Sequence, residues 1–126
     1  MFNFSSIVIV APGAALGGVR FACTALVVAR AGTLAAPLAT LGINVVGSLL
    51  IGVVVGVVQS GPELSPLWRL FFTTGILGGF TTFSTSSLEA LGLGSSNVQL
   101  AAAYVLGSVG LGLASAYVGL ALGRAL

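Results

Sequence analysis

Four apolar segments, Ile7 to Ala29, Leu38 to Val58, Leu67 to Leu91 and Val98 to Leu122, take up most of this chain. Each holds 21 to 25 residues. At about 1.5 Å of rise per residue, each reaches across a hydrocarbon core of roughly 30 Å. The connections, Arg30 to Pro37, Gln59 to Pro66 and Gly92 to Asn97, leave no room for a soluble domain. The expected fold is an all-α integral membrane protein in which residues 1–126 form a single four-helix transmembrane domain.

Charge agrees with that fold. Only Arg20, Arg30, Glu63, Arg69, Glu89 and Arg124 are charged, against 57% hydrophobic residues, whereas about a quarter of a soluble domain is charged. A net charge of +2 is too sparse to track phosphates, which excludes a nucleic-acid partner. Cys23 is the single cysteine, so neither a disulfide nor a CxxC pair can form within the chain, and packing is its expected role. The apolar start, MFNFSSIVIV, has no basic residue before it, as a cleaved signal would need, and is expected to stay in the mature protein.

Short loops rich in Arg and Lys favour the cytoplasm. Four crossings place Arg69 and Arg124 on one side and Arg30 on the other, almost no bias. The chain is therefore expected to insert in both orientations and to assemble as an antiparallel, dual-topology dimer. A fixed topology set by other features is the alternative.

The first segment carries Pro12, a candidate kink, and Gly13 with Gly17 at the spacing that lets helices approach closely. Arg20 lies inside the segment, facing either a wet interior or, by snorkelling, an interface. In the second segment Thr40, Asn44, Ser48, Gly52 and Gly56 recur every four residues on one face. The small residues read as packing, while Asn44 is either interhelical glue or a ligand contact. In the fourth, Tyr104, Ser108 and Gly112 repeat that spacing, with Ser115 beyond. The serines either line a path or bond back to their own helix. Trp68 and Tyr117 read as interfacial anchors.

The third segment is the most irregular. Gly75 to Glu89, GILGGFTTFSTSSLE, packs three glycines, six hydroxyl residues and two phenylalanines into fifteen positions. Glycine and back-bonding hydroxyls both weaken a helix, so a break is expected at Gly78 to Thr81, near the middle of the bilayer. Freed backbone there must meet protein or a watery cavity. Broken membrane helices use such carbonyls for small cations and half-helix N-termini for anions. With no His and two distant carboxylates, no catalytic constellation is evident. Glu89, near the end of this segment, either drives transport or snorkels. What remains is a path of neutral donors, Thr40, Asn44, Tyr104, Ser108 and the Thr/Ser set, which suits an anion. The positive edges of Phe80 and Phe83 could add to it.

The strings GAALGGVRF, LGINVVGSLLIG and RLFFTTGILGGFTTFSTSSLE, with the Tyr104 and Ser108 pair, cover all four segments and resemble the CrcB/Fluc family of small fluoride channels. The resemblance implies a multi-pass protein of the cell (plasma or inner) membrane that exports fluoride passively. It implies an antiparallel homodimer in the lipid bilayer with two pathways and a structural sodium ion at its centre, held by the backbone carbonyls of Gly78 and Thr81. It places Asn44 and Phe83 on the fluoride pathway and Tyr104 and Ser108 on its polar track. Thr40 falls on a further motif position of that pathway, and Arg20, Thr82 and Glu89 fall on positions of supporting roles.

One departure stands out. The family pattern TTFSTFS places two phenylalanines three apart, and here the second is Ser86. Either Ser86 donates its hydroxyl to the anion, or a partner chain in a heteromer brings the missing ring. Two other classes fit the architecture, a small dual-topology multidrug-type exporter and a non-transporting assembly subunit. The exporter depends on a carboxylate in its first helix, where this chain has Arg20.

Overall fold

The computed structural model describes residues 3–61 and 63–126, all in helices and short connections without a strand among them. Helix α1 (Phe4–Gly17) begins at Asn3, whose Oδ1 accepts from the Ser6 N–H at 2.9 Å and the Ser6 hydroxyl at 2.8 Å. It runs through Pro12 and is interrupted at Gly18, where one N–H is shared between the Ala14 and Ala15 carbonyls. The irregularity expected at Pro12 therefore falls six residues later. Helix α2 (Val19–Ala31) follows and stops at Gly32, whose φ of +86° favours glycine.

A single 3₁₀ turn, Thr33–Ala35, leads into α3 (Ala36–Ser60), with Pro37 in the first turn where its missing N–H leaves no bond unmade. Pro62, in the next connection, lies outside the described residues, as do Met1 and Phe2 of the expected N-terminal segment. The third segment is built in pieces. Helix α4 (Pro66–Leu70) passes into a π-helical stretch, Phe71–Leu77, and then one further turn, α5 (Gly78–Phe80). The wider winding shows at its end, where the Gly78 N–H donates to the Thr73 carbonyl five residues back. Thr81 and Thr82 are extended, and α6 (Phe83–Ser96) resumes the helix.

The connection expected over Gly92 to Asn97 shrinks to Asn97 alone. Ser95 and Ser96 bond back to the Gly92 and Leu93 carbonyls and prolong α6, while Asn97 Oδ1 accepts from the Leu100 N–H at 3.0 Å and starts α7 (Val98–Ala125). Three helical spans, Phe4–Ala31, Thr33–Ser60 and Val98–Ala125, are each 28 residues long and apolar enough to cross a membrane. The α4 to α6 stretch is not one continuous helix of that kind.

The helices pack in two parallel pairs. Helices α3 and α7 form the most extensive contact, and α1 lies along the π stretch. Both seams are glycine on glycine, because only hydrogen side chains let helix backbones meet. A Cβ at Gly17 would sit 2.6 Å from the backbone of Gly79 and Phe80, and one at Gly13 would sit 2.8 Å from Gly75 Cα. Gly52 and Gly56 oppose Gly119 and Gly123 in the same way. At the end of the α3–α7 seam, Arg124 Nε and Nη2 both donate to Gln59 Oε1, at 3.0 and 2.8 Å.

Little apolar surface is left for a core. Among the described residues Ile43, Leu77 and Tyr104 are the buried large side chains, and long rows of leucine, valine and phenylalanine point outward, as in a membrane-embedded bundle. Cys23, expected to pack, is exposed on α2. Trp68 is half exposed at the start of α4 and stacks on Phe72, and Tyr117 is exposed on α7.

Candidate functional site

The break in the third segment is held open by one side chain from another helix. Asn44, in the middle of α3, accepts from the Thr82 N–H at 2.8 Å through Oδ1 and donates to the Thr82 carbonyl at 3.0 Å through Nδ2. A carboxamide offers the same acceptor and donor as a peptide group, so Asn44 satisfies both backbone groups of the residue at the gap. The second Nδ2 hydrogen goes to Ser86 Oγ at 3.0 Å, and Ser86 in turn donates to the Thr82 carbonyl at 3.0 Å. Thr82 also caps α6, its Oγ1 accepting from the Thr85 N–H at 3.3 Å. Asn44, Thr82 and Ser86 thus form one closed cluster.

That geometry moves the break to Thr81 and Thr82, at the end of the expected Gly78 to Thr81 span. It also takes the helical donors away from the two end carbonyls of that span. In a continuous helix the Thr82 N–H would bond to the Gly78 carbonyl and the Thr85 N–H to the Thr81 carbonyl. Here the first goes to Asn44 and the second to the Thr82 side chain. Gly78 and Thr81 are left with carbonyl oxygens unclaimed by those donors, which is the donor chemistry a hard monovalent cation takes. No cluster of His, Cys, Asp or Glu able to hold a metal occurs among the described residues.

A second cluster lies farther along α6. Glu89 Oε1 accepts from the Thr40 hydroxyl at 2.9 Å and Oε2 from the Tyr104 hydroxyl at 2.8 Å. Thr40 is only 2% exposed and Tyr104 is buried. Glu89 is thus tied to α3 and α7 at once and does not snorkel.

Beside the Asn44 cluster, α3, α6 and α7 enclose an open groove of about 490 Å³, which neither Thr40 nor Glu89 lines. Asn44, Thr82, Ser86 and Tyr104 line it, with Phe83 at its edge and Ser108 on its far wall. Phe83 is 84% exposed within the single chain, a large ring presented outward beside the break. Ser108 Oγ is buried and has no hydrogen-bond partner. It does not bond back to its helix.

Seven of the expected residues, Thr40, Asn44, Thr82, Ser86, Glu89, Tyr104 and Ser108, thus converge on α3, α6 and α7, with Phe83, Gly78 and Thr81 at the adjoining break. Arg20 stands apart. It is half-buried on α2, its carbonyl accepts from the Thr24 hydroxyl at 3.1 Å, and it lines no part of the groove. Phe80 borders a different, apolar depression with Leu38 and Ile43. Ser48 and Ser87 line the groove without having been singled out as site residues. For Ser48 the signal was present, in the four-residue row that contains Thr40 and Asn44.

Comparison with known proteins identifies the family of the chain. The family model described as CrcB-like protein, Camphor Resistance (CrcB), matches residues 8–120. The protein named Fluoride-specific ion channel FluC of Methylobacterium nodulans is 48% identical over 113 residues, covering 89% of this chain and 90% of that protein. Its namesake in Agrobacterium fabrum is 42% identical over 120 residues, covering 94% and 96%. That of Rhizobium meliloti is 42% identical over 122 residues, covering 95% and 97%. Matched along nearly its whole length by the family model and by these full-length relatives, the chain belongs to the CrcB-like family.

Proposed function

We propose that the chain forms a passive, fluoride-selective channel that exports fluoride across the cell's inner membrane. The observation that carries this reading is the helix break splinted by Asn44, which opens onto a groove lined by neutral donors and an outward-facing aromatic ring. Neutral hydroxyls and amides can replace part of an anion's hydration without trapping it, as conduction requires. The relatives' printed names point the same way.

The working unit is an antiparallel dimer of four-crossing chains with two pathways. Parallel α3 and α7 support the four crossings, because the stretch joining them must return through the full depth of the bilayer. The outward ring of Phe83 supports a partner surface beside the break. The carbonyls of Gly78 and Thr81 would hold the structural sodium ion, whose charge offsets their dipoles where the two chains meet. Thr40 and Tyr104 hold Glu89 in place, so their protons are spent on the carboxylate and Tyr104 keeps its ring against the groove. Asn44 meets the anion through the N–H now given to Ser86.

Fluoride efflux from liposomes containing the pure protein, with chloride as the control ion, tests the reading. Efflux of fluoride alone supports it, and no efflux leaves a scaffold or a heteromer that needs another chain. Ser86→Phe is expected to raise flux severalfold in the same assay, because it restores an aromatic edge beside Phe83 and frees one Asn44 N–H. Tyr104→Phe is expected to lower flux about tenfold. It removes a hydrogen bond to a carboxylate, worth roughly 1.5–3 kcal/mol, and frees Glu89 to swing toward the groove.

A further inference from the structure

We infer that Ser48 of α3 and Ser108 of α7 form a two-hydroxyl anion-binding step in the groove, with Ser48 a direct ligand of the passing ion. The inference rests on the fluoride-channel reading and adds a residue to it.

The protons of the groove's hydroxyls decide the matter. Tyr104 gives its proton to Glu89 and Thr82 gives its proton to the Thr85 hydroxyl. Thr81, Ser86 and Ser87 bond back to the carbonyls of Leu77, Thr82 and Phe83, the usual habit of such residues in helices. Asn44 has both Nδ2 hydrogens engaged. Ser48 and Ser108 are the exceptions among the groove's described residues. The Ser108 oxygen is buried without a partner, and Ser48 lines the groove from α3 without entering any side-chain hydrogen bond among the described residues. An unpartnered buried hydroxyl is costly, and a ligand is one of its ordinary explanations.

The two lie one turn apart on neighbouring helices. Gly112 follows Ser108 by one turn of α7, and a Cβ built there would meet a single neighbour, Ser48 Oγ at 3.7 Å. Glycine at 112 thus keeps the space beside Ser48 open one turn from Ser108. Two uncommitted O–H donors, one from each helix, line the groove along that space. With no cation there, it suits a small monovalent anion that accepts from both.

Ser48→Ala and Ser48→Thr, reconstituted beside the unaltered protein, test the assignment. Alanine removes the donor and favours the helix, whereas threonine keeps the hydroxyl. Fluoride efflux is expected to fall about tenfold in Ser48→Ala and to stay within about threefold of the unaltered protein in Ser48→Thr. Ser108→Ala should match Ser48→Ala, and the double variant should fall by less than the product of the two losses, since both hydroxyls hold one ion. Unchanged efflux in Ser48→Ala overturns the inference, and so does a Ser48→Thr protein as impaired as Ser48→Ala. Absence of efflux in the unaltered protein would instead overturn the channel reading itself.

Discussion

Asn44→Ala is expected to lower fluoride flux by about a hundredfold while leaving the chain inserted and helical. The substitution strips the Thr82 N–H and carbonyl of their side-chain partner at a depth where lipid offers none. Each group left unsatisfied costs about 1–3 kcal/mol, and at about 1.4 kcal/mol per decade two of them account for the loss. The backbone has one local remedy. The Thr82 N–H can return to the Gly78 carbonyl, which closes the gap into a regular helix, consumes a carbonyl proposed for sodium and turns Phe83 away from the groove. Either outcome destroys the pathway. Asn44→Asp separates splint from bulk, since it keeps the shape and the acceptor for Thr82 N–H but sets a carboxylate oxygen against the Thr82 carbonyl. It is expected to fall nearly as far. Ser86→Ala, which removes only one of the amide's partners, should stay within a few-fold of the unaltered protein. Amide exchange at Thr82 is the independent readout. If Asn44→Ala kept both its flux and a protected Thr82 amide, Asn44 would not be the splint.

The separation of Asn44 from Thr82 also marks where sequence reasoning stops. The apolar runs predicted an all-helical chain with helices long enough to cross a membrane, and three such spans are present among the described residues, because bilayer thickness sets length directly. The glycines and hydroxyls of Gly75 to Glu89 exposed a weak point to within a few residues, since those residue types lower helix stability locally. Its exact place depended on an amide 38 positions earlier, and no local pattern carries that information. Glu89 is the same case. Nearness to a segment end left it free to snorkel, yet Thr40, 49 residues away, and Tyr104, 15 away, hold its two oxygens. Pro12 shows the reverse error. A strong local breaker is accommodated within α1, and the interruption falls at Gly18, beside the crossing where Gly17 meets the backbone of Gly79 and Phe80. Ser48 was visible in the periodic row, but only the protons of its neighbours distinguish it from a packing residue.

The α3–α7 seam should be the least forgiving part of the chain, and Gly119→Val is expected to abolish both assembly and flux. A Cβ at Gly119 would fall on the Leu49 carbonyl oxygen and lie 3.0 Å from Val53 N, and one at Gly123 would fall on the Val53 carbonyl oxygen. From the other side, a Cβ at Gly52 meets the Ala116 carbonyl oxygen and one at Gly56 that of Leu120. Every obstacle is backbone within a hydrogen-bonded helix, so no rotamer change relieves it and the helices must separate. Even Gly119→Ala should cost the upper part of the usual overpacking range of about 1–3 kcal/mol, and valine's branched side chain exceeds it. The damage does not stay local. Ser108 lies 11 residues before Gly119 on the same helix, roughly 16 Å along its axis, so a wedge at the glycine tips the groove wall away from α3. Flux should therefore fall in Gly119→Ala even where the protein still assembles. Gly110→Ala is the matched control, because among the described residues no other part of the chain beyond its own helix backbone lies within 4 Å of its added Cβ. It should keep both its denaturation midpoint in detergent and its flux. Equal midpoints for Gly119→Ala and Gly110→Ala would mean that the two helices are not held by backbone contact, and that groove and seam are mechanically independent.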